Sequence, residues 1–372
     1  MHNSSRIVLT GQHKSFTLYP MKTGSSKATI QKILTTSPPA FSNAEVAAIA
    51  ADLFGLHAKL RSLVSERDQN FALTTQDGLQ YTLKISNHAE QREVIDFQNH
   101  ALLHVARKDP SIPLPRVVPT LDGHLHGRVE RDGKSHFVRV LSWLEGTVIH
   151  DTSVSPVLAG HMGQLLARLD VALKSFDHPG SNLPLLWDMK RAASLAELVV
   201  CIEEPGLQQM IAQTLDKFIS QVEPVLDTLR TQVIHNDMNP GNVLMDKTRP
   251  DQISGLIDFG DMTRSPLIID LAVAAAYQLS GGSDPLAGAL PMIAGYHGIN
   301  PLQSTEMALL TDLIRTRLIT SLLIGSYRAI LFPENREYLL ISQHSAKNFL
   351  VNLNHLPGDE ALDRIRGACA PA

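Results

Sequence analysis

The sequence predicts an α+β chain of two lobes: a small, mostly β N-terminal lobe over residues 39–146 and a larger, mostly helical C-terminal lobe over 147–372, behind a flexible leader at 1–38. Three observations predict it. Apolar and polar residues alternate between about residues 60 and 86, and turn signals divide the stretch 113–144, the pattern of antiparallel strands. From Val157 onward the apolar period lengthens to that of helices. The exception is 232–262, where short apolar pieces are separated by polar turns. A chain of 372 residues is long enough for two such cores.

The elements follow in order. Residues 1–38 are rich in Ser, Thr and Lys without sustained periodicity, and Met21 is an alternative start of translation. Ser42, with Glu45 three residues on, forms a capping box before the helical pattern Val46, Ile49, Ala50, Leu53. Strands follow at 60–64, 71–75 and 79–86, the last two joined by Gln76-Asp77-Gly78. Leu79, Tyr81, Leu83 and Ile85 share one face of the last strand, and Gln80, Thr82 and Lys84 the other. A helix at about 90–106 carries the stripe Val94, Phe97, Ala101, Val105, flanked by Leu102. Turns at Asp122-Gly123 and Asp132-Gly133 divide the next strands, and Gly146 closes the first lobe. Helices are expected at 157–176, at 192–230 with an interruption at Glu204-Pro205-Gly206, at 303–331 and at 337–352.

Composition narrows the function. With 44% hydrophobic and 19% charged residues the balance is that of an ordinary globular protein, and a net charge of -4 gives no support for a nucleic-acid partner. Cys201 and Cys369 form neither a disulfide framework nor a zinc spacing. No signal-peptide core or membrane-length apolar run occurs, so the expectation is a cytoplasmic protein with no membrane association.

The stretch QVIHNDMNPGNVLMDKTRPDQISGLIDFGDM, residues 232–262, carries chemistry. A short apolar lead-in reaches His235-Asn236-Asp237, and Asn242 follows five residues after Asp237. A strand, the turn DKTRPDQ and a second strand then end at Asp258-Phe259-Gly260, so a hairpin would return Asp258 beside Asp237 and Asn242. Phosphoryl transfer needs that set. One carboxylate, Asp237, positions the attacking hydroxyl and accepts its proton. An amide and a second carboxylate, Asn242 and Asp258, hold Mg²⁺ on the phosphates, because a hard cation takes oxygen ligands. The order of an H-x-D loop, an Asn five residues on and a D-F-G is a kinase signature. His235 reads as a structural residue under the loop. Asp270, at the start of the helix DLAVAAAYQ, reads first as a structural helix-start residue favoured by the dipole, with a brace for the loop as the alternative.

Upstream, Lys84 stands on a strand after a hairpin and before a helix, where a kinase lysine contacts the phosphates. Its helix partner is open among Glu93, Asp96 and Gln98. No G-x-G-x-x-G occurs. The turn Ser65-Glu66-Arg67-Asp68-Gln69-Asn70 stands in its place, with Arg67 a candidate for the phosphates. Ser142 and Leu144, flanking Trp143, are placed where backbone groups would meet the base. Asp261, Glu145 and Arg264 are candidate acceptor contacts.

At these residues the chain resembles the aminoglycoside phosphotransferase and choline kinase superfamily, and within it the hydroxylysine-kinase-like branch. SERDQNF, YTLKIS, VIDFQNHALLHV, VRVLSWLEGTVI, HNDMNPGNVL, GLIDFGDM and DLAVAAAYQ carry the resemblance, from about residue 41 to about 350. It implies a protein-kinase-like bilobal fold, ATP or GTP as co-substrate with Mg²⁺, a small hydroxyl-bearing acceptor such as hydroxylysine, and the same roles for Asp237, Asn242, Asp258 and Lys84. Asn236 departs from the superfamily, which most often has Gly there, and Gln98 departs from its Lys–Glu pair. The alternatives are an aminoglycoside, homoserine or choline kinase, or a nucleotide-binding pseudokinase. The intact triplet argues against the last, and an aromatic content of 5% against a choline cage.

Overall fold

The computed structural model describes residues 36, 38–65, 67–149, 154–340 and 343–371. The predicted leader, apart from Thr36 and Pro38, and Glu66 of the predicted phosphate-covering turn lie outside the described residues.

Helix α1 (Asn43–Phe54) begins at the predicted capping box. The Glu45 amide donates to Ser42 Oγ at 3.3 Å, and the Glu45 carboxylate accepts from the Ser42 amide at 2.6 Å. Strands β1 (Ala58–Leu63), β2 (Gln69–Thr75) and β3 (Gln80–Ile85) precede α2 (Arg92–Lys108), and β4 (Val117–Val118), β5 (Gly127–Arg131) and β6 (Lys134–Ser142) follow it. They form one antiparallel sheet in the order β1-β2-β3-β6-β4, with β5 also paired to β6. Gly78, Gly123 and Gly133 turn the chain at φ of 85°, 83° and 71°, in the left-handed region glycine enters without a Cβ clash. Phe71, Leu73, Leu83, Ile85, Val138 and Val140 pack on Val46, Ala50 and Phe54 of α1 as a core of their own.

Helix α2 departs from its predicted stripe. Val94 is only half-buried, while Ile95, Gln98 and Asn99 join Phe97, Ala101, Leu102 and Val105 inside. The wider buried arc arises because α2 is covered from two sides. Phe97, Ala101, Leu102 and Val105 belong to the large core of the C-terminal region, whereas Asn99 and Gln98 turn to the sheet residue Arg139.

The rest of the chain is mostly helical. After β7 (Thr147–Val148) come α3 (Pro156–Leu173), α4 (Pro205–Lys217), a π-type turn at Phe218–Val222 and α5 (Glu223–Leu226). Four short strands follow, β8 (Thr231–Ile234), β9 (Val243–Met245), β10 (Ile253–Leu256) and β11 (Thr263–Pro266). The chain ends in α6 (Ile268–Ala276), α7 (Leu290–His297), α8 (Ser304–Leu331), α9 (Arg336–Leu340), α10 (Gln343–Asn354) and α11 (Gly358–Cys369). Helices α3 and α7 cross at backbone contact: a Cβ on Gly163 would collide with the Met292 carbonyl, and one on Gly295 with the Gly160 carbonyl. The 28 residues of α8 span about 42 Å through the core.

The predicted helix ahead of Glu204 is corrected. Met189–Cys201 winds as a 3₁₀ helix; its buried residues Met189, Ala192 and Leu195 recur every third position, the period that a three-residue turn stacks on one face, and Val199 follows four residues on. Cys201 and Cys369 are both free. Among the described residues, no helix is long and apolar enough to cross a membrane.

Candidate active site

The site grows from two short antiparallel pairs. β8 pairs with β11, Ile234 opposite Thr263, and β9 pairs with β10, Val243 opposite Leu256. Both pairs are largely buried, so their apolar residues fix the register and the polar loops between them are pushed to one end. The loop 235–242 leaves β8. Residue 258 returns beside it because the Ile257 amide donates to the Asn242 carbonyl at 2.9 Å. The predicted hairpin therefore exists and brings Asp258 to Asn242.

Asp237 is held from several sides. Asn242 Nδ2 donates to Asp237 Oδ2 at 2.8 Å and to the Asp237 carbonyl at 2.9 Å. Asn239 Nδ2 donates to Oδ1 at 3.0 Å, and Arg317 Nη2 approaches the same oxygen at 3.4 Å. Burial pushes the Asp237 carboxyl up to about 7, and the neighbouring Asp261 charge adds to the rise while Arg317 opposes it. Asp258 is the reverse case. Lys84 Nζ lies 3.9 Å from its Oδ1 and holds its carboxyl below the usual range, and half of the Asp258 side chain (51%) is open.

The loop is strained and braced. Asn236 and Asp258 adopt φ of 64° and 62°, a region costing about 1–2 kcal/mol for residues other than glycine. Asparagine tolerates it better than most, so the residue standing where Gly is usual has a conformational explanation. Asn236 Nδ2 also donates to the Asp261 carbonyl at 3.1 Å. Asp270, fully buried in the first turn of α6, accepts the amides of His235 at 2.8 Å and Asn236 at 2.7 Å. His235 packs edge-on against Phe259, ring centroids 4.8 Å apart, and burial lowers its pKa, which keeps it neutral. Both residues are structural, and Asp270 is the brace.

Two sequence expectations change. None of Glu93, Asp96 and Gln98 is the partner of Lys84. Gln98 Oε1 accepts from Arg139 Nη2, and Asp96 pairs with Arg92 at 3.2 Å and His126 at 3.0 Å. The reason is register: Arg139 stands opposite Lys84 on β6, is 4% exposed, and takes the helix-borne amide for itself. Two of the candidate acceptor contacts are tied up elsewhere. Glu145 pairs with Lys247 at 2.7 Å, and Arg264 with Asp177 at 2.7 Å. The third, Asp261, does face the cluster, with Arg67 Nη2 3.8 Å from its Oδ1. Ser142 and Leu144 sit at the end of β6, where the Ser142 hydroxyl accepts the Arg116 amide at 2.8 Å and the Leu144 side chain lies over Gly255.

Arg317, Arg139 and Asn239 were not singled out from the sequence. For Arg317 and Arg139 the available signal is a basic residue within an apolar run, LIRTRLITSLL and FVRVL.

A protein-kinase-like arrangement of sheet and helices around such a loop defines a class. The chain belongs to the phosphotransferase enzyme family, whose model matches residues 59–301. It is a small-molecule kinase acting on an alcohol group. It is 30% identical to the hydroxylysine kinase of Danio rerio over 337 residues, covering 87% of this chain and 94% of that one. It is 27% identical to the homoserine kinase of Chelativorans sp. (strain BNC1), covering 72% and 79%. Among solved structures, the amicoumacin kinase hAmiN in complex with AMP-PNP, Ca²⁺ and Ami superposes with a TM-score of 0.62 at 15% identity, covering 80% of this chain and 93% of that one.

Proposed function

We propose that the chain transfers the γ-phosphoryl group of ATP or GTP to a hydroxyl of an amino alcohol or hydroxy-amino acid such as hydroxylysine. One observation carries the reading: Asp237, Asn242 and Asp258 meet at one loop opposite Lys84, in a chain that aligns over nearly the whole length of a hydroxylysine kinase. In this reading residues 39–146 hold the nucleotide and 147–372 the acceptor.

Asp237 orients the acceptor hydroxyl and takes its proton as the oxygen–phosphorus bond forms and the bond from Pγ to the bridging oxygen breaks. A carboxyl raised to about 7 suits a base working near neutral pH. Lys84, paired with Asp258 at 3.9 Å, reaches the α- and β-phosphates. Arg67 covers them from the turn before β2, and the backbone around Ser142 and Leu144 meets the base. The donor set fits Mg²⁺: Asn242 spends both amide hydrogens on Asp237 and keeps its carbonyl oxygen, and Asp258 is ionised and open. When bound, the ion neutralises charge on the β- and γ-phosphates.

The test is nucleoside diphosphate release from ATP and from GTP with Mg²⁺, across hydroxylysine, homoserine, 3-aminopropan-1-ol, choline and an aminoglycoside, with the phosphate ester confirmed by ³¹P NMR. Hydroxylysine is expected to give the highest kcat/KM. Release that ignores the acceptor, or a tenfold preference for another member of the panel, overturns the reading.

A further inference from the structure

Asp237 marks where the acceptor hydroxyl would lie, and the residue that receives the rest of the acceptor is still to be found. Arg317 on α8 stands out. It is 3% exposed, and its Nη2 lies 3.4 Å from Asp237 Oδ1 and 3.1 Å from the Tyr277 hydroxyl. Its guanidinium stacks over Trp187 at 5.0 Å and Tyr277 at 5.7 Å. The donors of a guanidinium point outward from the edge of its plane. On that edge Nε and Nη1 are buried with no hydrogen-bond partner. A guanidinium is always protonated, so the fold keeps two charged donors unsatisfied beside the reacting carboxylate, at a cost that an acceptor oxygen from a ligand would remove. Thr320 Oγ1, three residues along α8, and Gln278 Nε2, next to Tyr277, are likewise buried without partners. Asp237 turns Oδ2 toward Asn242 and Oδ1 toward Arg317, which sets Arg317 apart from the side of the proposed metal ligand.

We infer that Arg317 receives the carboxylate of the acceptor, which makes the substrate a hydroxy-amino acid and disfavours a plain amino alcohol. The inference rests on the kinase reading for the hydroxyl at Asp237, whereas the anion site rests on the unpartnered edge of the guanidinium.

Two arms test it. The first needs no turnover and no variant: calorimetric titration of the full chain with lysine and with cadaverine, a pair that differs by the carboxylate and lacks the hydroxyl. Lysine is expected to bind at least tenfold more tightly. Equal affinities, or binding of neither, overturn the inference. The second arm compares kcat/KM for hydroxylysine and for 1,5-diaminopentan-2-ol, its decarboxylated counterpart, in the wild type, R317M and R317K. The wild type is expected to favour the carboxylate form by about 10- to 100-fold. That ratio should fall below about threefold in R317M, with R317K between, on the loss of a charge-assisted hydrogen bond. An equal loss on both acceptors means that Arg317 only holds Asp237, which overturns the inference and leaves the kinase reading standing. Phosphorylation of neither compound, with lysine still favoured over cadaverine, overturns the acceptor reading and leaves the anion site.

Discussion

Asp270→Ala tests how much of the catalytic loop's shape depends on one buried carboxylate. Asp270 accepts two amides, from His235 at 2.8 Å and Asn236 at 2.7 Å, and all three residues are fully buried. Truncation leaves two buried N–H groups without acceptors, at about 1–3 kcal/mol each, or roughly 2–6 kcal/mol together. It also releases the left-handed φ of 64° at Asn236, which costs about 1–2 kcal/mol to maintain and precedes Asp237 directly. Relief of that strain offsets part of the loss, so urea unfolding should show a net loss of roughly 1–5 kcal/mol, a large part of the 5–15 kcal/mol typical of a folded domain. In the folded fraction kcat should fall while nucleotide affinity holds, since Lys84 and Asp258 do not touch Asp270. Asp270→Asn should lie between, because an amide offers one accepting oxygen and turns an N–H donor toward the second amide. A loss below about 1 kcal/mol with unchanged kcat would refute the brace.

Three further outcomes are expected. Asp237→Ala should lower kcat by about 10²–10⁴ as the base is lost, with nucleotide affinity nearly intact by equilibrium titration; surviving turnover would remove Asp237 from that role. Asp258→Asn should weaken Mg²⁺-dependent nucleotide binding by roughly 10- to 100-fold, and a titration with and without the metal that shows no change would end the ligand assignment. Asp170 accepts the Tyr296 hydroxyl at 2.7 Å, and burial, then the neighbouring Asp270 charge, raise its pKa well above the usual carboxylate value. The folded state therefore keeps a proton that the unfolded chain releases. Stability should fall as pH rises above the ordinary carboxylate range, by up to about 1.4 kcal/mol per unit, until the folded pKa is passed. Asp170→Asn should flatten that slope in urea unfolding measured from pH 4 to 8, and an unchanged slope would show that Asp170 does not hold the proton.

Local rules carried most of the fold. The capping box at Ser42–Glu45, the hairpin at Gly78 and the 28-residue helix α8 each follow from a few neighbouring residues, and all three stand in the structure. Pieces that exist only because something packs on them were not legible. Strands β7 and β11 are two and four residues long and owe their conformation to β9 and β8, which pair with them. Helix α7 draws its support from the glycine contact with α3 and has no side-chain cap hydrogen bond at its start. The 3₁₀ segment at Met189–Cys201 carries an i, i+3 apolar pattern that an α-helix shares, so periodicity could not separate the two.

The site divides along the same line. Asp237, Asn242 and Asp258 lie within one hairpin, and their spacing alone brings them together. The partner of Lys84 could not be read that way, because it depends on which residue of β6 stands opposite. Arg139 does, and two cations side by side on a sheet repel unless each has its own partner. The structure gives Arg139 the neutral oxygen of Gln98 and gives Lys84 the open carboxylate of Asp258. A glutamate at 98 would sit against Arg139, which already takes the side chain at that position. The departure at Gln98 and the arginine at 139 are therefore one feature. Together they leave Lys84 to Asp258, the carboxylate of the D-F-G turn, beside which the phosphates of the nucleotide are proposed to lie.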